Sequence, residues 1–441
     1  MVPWASHRRY MDSGDKPKLV PVSPQRLQVG MYVVELDRPW HETPFPFQGF
    51  EVKSAGQIDA LARHCDTVYI DPHHVSAAVT GRARVDANGD ASLLDAPSAT
   101  AALEAGRVRL FTMLAKGPVH EYGKPTNLKR ESAKAVEAFD ESRRRYRKLV
   151  SALKAAKPVR AAHCRNVVEP IAVSVMRNPD ALSWLSFVYK NDPQPNDRSL
   201  TTAVWASVFA RYLKLGPNVL LDIASGAMLL DIGLMKVPAT VRNHTGRYDA
   251  RQRMAMQTHV RLGEQYLREI AEITPRVKQM QSQHHERQDG SGYPRSLEAG
   301  AIGPFGAFAA VIDSYDAMVT DAPHRPSLSS ADAIGRLKRL APRRLPELVV
   351  DQFVQALGMF PSGSLVELNT GEVAIVNAQD EKHRLRPRLL VVTDAEKNAL
   401  RSAKRLALAD VKAAGPDPSA RWIKRGLPTG SYGIDPYQYF F

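Results

Sequence analysis

Cysteine is nearly absent from this chain: Cys65 and Cys164 are the only two in 441 residues. That excludes a disulfide framework and fits a reducing compartment, so a cytoplasmic location is expected. No uncharged apolar run reaches the roughly 18 residues that a membrane span needs, so no span is expected. Arg8, Arg9 and Asp12 come early with no apolar stretch behind them, and no secretory signal is read there. Acidic residues are the minority, 46 against 60 basic ones, which leaves a net charge of +14. Such a balance favours anionic partners, among them nucleotides, or else serves only solubility. The basic helix and interleaved aromatics of a nucleic-acid reader are missing, so DNA is not an expected partner.

What the chain does have is ordinary globular composition, 44% hydrophobic and 24% charged. At roughly 100–200 residues per domain its length predicts two to four domains. Residues 1–17 read as a flexible tail. Residues 18–75 read as a small α/β module, with strands at 27–36 and 67–70 and a helix at 56–64. Residues 76–127, rich in Ala, Gly, Asp, Pro and Ser, read as a linker. A connecting helix at 128–158 carries Val136, Phe139, Tyr146, Val150 and Leu153 at heptad-like spacing, a candidate homodimer seam, and an arginine run that reads as a solvated face. Residues 159–345 read as successive helices, at 165–176, 181–189, 200–213, 219–232, 251–273 and 306–319. Residues 346–400 read as a β-containing extension, with strands at 364–368, 372–376 and 388–392. The last segment, 401–441, mixes a basic helix with an aromatic end.

The chemistry concentrates at residues 284–294, His-His-Glu-Arg-Gln-Asp-Gly-Ser-Gly-Tyr-Pro. Two adjacent imidazoles are good borderline metal ligands. Gly290 and Gly292 permit close backbone approach, Tyr293 offers an aromatic face and Pro294 stiffens the turn. His259 lies on the helix before this loop. Asp231, in Leu-Leu-Asp-Ile-Gly, and Asp313, in Asp-Ser-Tyr-Asp-Ala, sit on helices able to converge on it.

These residues resemble the HD-GYP family of cyclic di-GMP phosphodiesterases. His284–Pro294 follows the family's H-H-E-R-x-D-G-x-G-Y-P, and 313–317 follows its D-x-Y-D-A. Residues 29–37, 44–45, 50 and 68–71 resemble the small N-terminal domain often attached to the family, and 358–368 its usual C-terminal extension. The resemblance implies a mainly α protein, built on an all-α HD domain with two or three iron or manganese ions. Carried over, it makes Asp231 the bridging carboxylate and catalytic centre. His259, His284, His285 and Asp313 become further metal ligands, and Gly292, Tyr293, Pro294, Asp316 and Arg325 substrate contacts.

The departures from the pattern bear on activity. Leu230 stands where the family has the histidine of its "HD" pair, and Leu200 is aligned with an earlier ligand histidine. Leu234 replaces a phosphate-holding lysine, and Ala322 an arginine. No histidine occurs between His163 and His244, so no change of register restores an imidazole. Leucine cannot coordinate a metal, and Leu200, Leu230 and Leu234 suit a dry helix core. At most one well-held metal ion is therefore expected. The function that follows is a cyclic di-GMP receptor or adaptor with weakened or lost hydrolysis, its Gly-Tyr-Pro loop meeting diguanylate cyclase-type signalling proteins. The alternative is an active phosphodiesterase giving linear dinucleotide or GMP.

Overall fold

The structure is a computed structural model and describes residues 20–29, 31–37, 50–52, 55–75, 99–189, 197–322, 325–380, 386–408 and 421–440. The expected tail at 1–17 lies outside them. The chain divides into two compact units, 1–97 and 98–441.

The first unit is one antiparallel sheet with a helix against it. Strands β1 (Val20–Val22), β2 (Met31–Leu36), β3 (Phe50–Glu51) and β4 (Val68–Val75) stand in the order β1-β4-β2-β3, and helix α1 is Ala55–His64. Leu27, Val33, Val52, Leu61, Cys65, Val68 and Ile70 form its core. The carboxylate of Asp37 accepts the N–H groups of Asp66 and Thr67 at 2.6 and 2.7 Å, which fixes the turn into β4.

The second unit begins inside the span read as linker. Helix α2 (Ala99–Leu114) buries Leu110, Phe111 and Leu114, and the Gln352 side-chain amide donates to the Leu103 carbonyl at 3.0 Å. The stretch after it is also anchored: His120 N–H donates to the Lys214 carbonyl, and the Tyr122 hydroxyl to the Leu215 carbonyl at 2.5 Å. Composition marked this region as a linker because its small residues hide a short apolar face.

Helix α3 (Leu128–Lys154) starts at Asn127, whose side chain accepts the Lys129 and Arg130 N–H groups. Its buried stripe, Ala135, Phe139, Tyr146, Leu149 and Leu153, packs on α4 (Ala161–Arg177) and α5 (Pro179–Val188). Of the residues expected to form a dimer seam, Phe139, Tyr146 and Leu153 are thus buried by the chain's own helices, and Val136 and Val150 are half-buried. Glu131, in the first turn of α3, is buried and accepts from the Arg177 guanidinium and the Ser174 hydroxyl.

A two-residue strand, β5 (Val159–Arg160), precedes α4 and pairs in parallel with β6 (Ile270–Ala271). The helical core continues with α6 (Asp197–Tyr212), α7 (Pro217–Met228), α8 (Ala239–Arg242), α9 (Ala250–Gln257), α10 (His259–Glu269), α11 (Pro275–Gln283), α12 (Pro304–Val319), α13 (Ser330–Leu340) and α14 (Glu347–Leu357). Proline at the first position starts α5, α7, α11 and α12, where its missing N–H costs nothing. The single helix expected at 251–273 is instead α9 and α10, parted at Thr258, and it ends where Ile270 leaves to pair with Val159. The segment Pro217–Lys236 has the length and mean hydropathy (1.5) of a membrane helix, but it is mostly buried inside this helical core.

The extension is a five-stranded antiparallel sheet, order β10-β9-β8-β7-β11. It is made of β7 (Leu365–Leu368), β8 (Val373–Ala378), β9 (Arg388–Thr393), β10 (Ala399–Ala407) and β11 (Ile423–Leu427). The helix expected after 400 is therefore a correction: that stretch is edge strand β10, where outward charges such as Lys404 and Arg405 discourage further pairing. The aromatic end packs back on α5. Trp184 Nε1–H donates to the Pro436 carbonyl at 3.2 Å, and its ring lies 5.6 Å from that of Phe440.

Candidate metal centre

Five elements converge on one point of the helical unit. The turn after α7 delivers Asp231, the start of α10 His259, the end of α11 His284 and His285, α12 Asp313, and the first turn of α6 Arg198.

A glycine sets the closest of these approaches. A Cβ on Gly233 would lie 1.9 Å from the His259 carbonyl oxygen and 2.5 Å from the Gly263 nitrogen. Only glycine lets the turn carrying Asp231 run against the first turn of α10. Two carbonyls then aim the imidazoles. His259 Nδ1 is 2.8 Å from the Met256 oxygen and His284 Nδ1 is 2.7 Å from the Gln281 oxygen. A carbonyl only accepts, so Nδ1 carries the proton and each Nε2 lone pair faces inward.

Those two Nε2 atoms are 3.4 Å apart, and they lie 3.3 and 3.8 Å from Asp231 Oδ1. Asp231, His259, His284 and His285 each offer a ligand atom, all within 4.8 Å of one another. Two lone pairs and a carboxylate oxygen facing one another repel unless a cation lies among them, so this donor set fits one metal ion. Nearby charge tunes the groups. Burial opposes ionisation of Asp231, but the adjacent Arg198 guanidinium holds that carboxyl well below its ordinary range. Burial and the neighbouring His284 and His259 keep His285 neutral, far below the usual imidazole range.

The other half of the site differs. Arg198 Nη1 donates to Asp231 Oδ2 at 2.8 Å, Nη2 to Asp313 Oδ1 at 2.8 Å, and Nε to Asp316 Oδ2 at 3.3 Å. Leu200, aligned with an earlier ligand histidine, is a fully buried core residue. Two residues along a helix is about 200° of rotation, so the α6 position that reaches the carboxylates is Arg198 instead. Sequence reasoning missed it by looking for a lost imidazole rather than a gained cation. Leu230 is buried beside Asp231, whereas Leu234, expected in the dry core, is only half-buried.

The remaining expected site residues spread outward. The Tyr293 ring lies 4.6 Å from that of His285, and burial, then the carboxylates of Asp313 and Asp231, raise its phenol. Gly292 is tightly enclosed: a Cβ there would sit 2.4 Å from the Arg287 nitrogen. Glu286 accepts the N–H groups of Arg295 and Leu297 at 2.8 and 2.9 Å and so holds the loop through Pro294 in place. Asp316 is fully buried behind Arg198, and Arg325 donates to the Ala317 carbonyl near the end of α12.

The family model for the HD domain matches residues 186–345, which contain every side chain of this centre. Residues 19–164 match a domain-of-unknown-function family, DUF3391. A cyclic di-GMP phosphodiesterase of Pseudomonas aeruginosa is 29% identical over 391 residues, 86% of either chain. The chain is a member of the HD-GYP family. Over a shorter stretch it is similar to a cyclic di-GMP phosphodiesterase of Thermotoga maritima, 31% identical over 30% of this chain and 37% of that one. A 3'3'-cGAMP-specific phosphodiesterase of Vibrio cholerae is 27% identical over 31% of this chain and 29% of its own length. The HD-GYP site here therefore has one half built as a histidine-carboxylate metal group and the other half closed by an arginine.

Proposed function

We propose that this chain is a receptor or adaptor for cyclic di-GMP or a related cyclic dinucleotide, with hydrolysis weakened or lost. The observation that carries the reading is the division of Asp231: Oδ1 faces the imidazoles and Oδ2 is bonded to a guanidinium. Two-metal hydrolysis of a phosphodiester needs an ion on each side of the bridging carboxylate, one for the attacking oxygen and one for the leaving oxygen. With one ion, iron or manganese as the family resemblance implies, the phosphodiester would be polarised and bound but not clamped at both oxygens. Such an ion would be held by Asp231, His259, His284 and His285. Tyr293 and the enclosed Gly-Tyr-Pro backbone would position the dinucleotide, and exposed loop residues such as Ser296 would meet a signalling protein in the cytoplasm. The relatives' names support the dinucleotide class.

The test is calorimetric titration of cyclic di-GMP into anaerobically Mn(II)-loaded protein, with linear products followed by chromatography and Asp231→Ala run alongside. Saturable binding without sustained turnover is expected. Steady product formation that disappears in Asp231→Ala would establish the active phosphodiesterase instead. Absence of binding would end the dinucleotide reading.

A further inference from the structure

We infer that Arg198 is the second cation of this centre, a guanidinium tethered to α6 that takes the place of a second metal ion. The inference deepens the proposed function and rests on its reading of the centre as a metal site. It starts from three carboxylates that would otherwise face one another. Asp231, Asp313 and Asp316 all bond the same guanidinium, each through a different nitrogen. A fork of this kind satisfies planar geometry that a single lysine or solvent ion could not.

The fork is built rather than incidental. Asp316 is fully buried, and its oxygens also accept from Trp205 Nε1 at 3.1 Å, Thr201 Oγ1 at 3.3 Å and Thr202 Oγ1 at 3.1 Å. Those two threonine hydroxyls also lie 3.0 and 2.8 Å from the Arg198 carbonyl, so the turn that carries the arginine and the carboxylate that orients it share one network. Asp316 is a positioning residue for Arg198.

Space and charge then exclude a second ion. A divalent metal sits about 2.0–2.2 Å from carboxylate oxygens. An ion taken up between Asp231 Oδ2 and Asp313 Oδ1 would have to displace the guanidinium nitrogens that lie 2.8 Å from each. The guanidinium already supplies these carboxylates with the buried positive charge that a second divalent ion would bring.

The experiment counts metal rather than product. Full-length wild type, Arg198→Ala and Arg198→His are each equilibrated with excess Mn(II), desalted, and analysed by elemental mass spectrometry and electron paramagnetic resonance. Circular dichroism checks the fold, and the histidine variant covers the case in which alanine does not fold. The expected result is one more ion per chain in the folded variant than in wild type, with the isolated Mn(II) signal giving way to that of a coupled pair. Equal counts in wild type and folded variants, or a second ion in wild type with Arg198 intact, would overturn the inference. If wild type binds none and Arg198→His binds one, the arginine inference stands and the one-metal reading of the imidazole side falls.

Discussion

Arg198 Nη1 lies 2.8 Å from Asp231 Oδ2, so the carboxylate at the heart of this HD domain is shared between a guanidinium and a set of imidazoles.

His284 is fully buried and its Nδ1 is fixed by the Gln281 carbonyl, so the ring has one role open to it, at Nε2. Loss of an outer partner of a metal-bound histidine costs roughly 10–100-fold in affinity. His284→Ala removes the ligand itself, and the Mn(II) dissociation constant is expected to rise by about 100-fold or more. A competition titration with a metal-sensitive dye measures it. An unchanged constant would remove His284 from the ligand set.

Asp316 is expected to matter for stability first. In Asp316→Ala the Trp205 indole N–H and the Arg198 Nε–H lose a buried acceptor, while the Thr201 and Thr202 hydroxyls keep the Arg198 carbonyl. Unsatisfied buried donors cost about 1–3 kcal/mol, so urea unfolding should show a loss of roughly 2–3 kcal/mol without metal. Full stability with weakened dinucleotide binding would instead mark Asp316 as a ligand contact.

Gly233→Ala probes the approach of the Asp231 turn to α10. The added Cβ would meet backbone atoms of His259 and Gly263, not the yielding end of a side chain. Overpacking of this kind costs typically about 1–3 kcal/mol. The melting temperature should fall and Mn(II) affinity should fall with it, because the displaced atoms belong to a ligand-bearing turn. A destabilised variant that kept wild-type metal affinity would separate the turn from the site.

Alkaline pH should loosen the helical unit. Burial pushes the Cys164 thiol and the Tyr146 phenol each up to about 12, from 9.0 and 10.0. Between about pH 9 and 12 the unfolded chain releases protons that the folded chain retains, so stability is full below pH 9 and declines as pH rises. The slope is about 1.4 kcal/mol per pH unit for each group. Urea midpoints at pH 8, 9, 10 and 11 should fall along the series, and less steeply in Cys164→Ala. In the folded protein at pH 8, Cys164 should resist iodoacetamide.

Much of this protein was legible in one dimension. Asp231, His259, His284, His285 and Asp313 were all marked by residue type and loop context, and the fold places them together. Helix and strand periodicity located α4 to α7, α12 and β7 to β9, because amphipathic patterns are local. Regions stabilised by distant partners were harder. Helix α2 passed for linker because its support comes from α14, and β10 passed for helix because its strand partner β9 is needed to reveal it.

The kinds of chemical group available, and the absence of enough histidines for a full two-ion set, follow from the order of residues alone. Which oxygen of Asp231 faces which partner does not. An arginine two positions from an expected ligand looks unremarkable in a string of letters. Only the folded helix, rotating Leu200 into the core and Arg198 onto three carboxylates, turns that residue into part of the site. Side-chain direction around a helix and charge compensation across three separate elements are properties of packing, and they exist only once the chain has closed on itself.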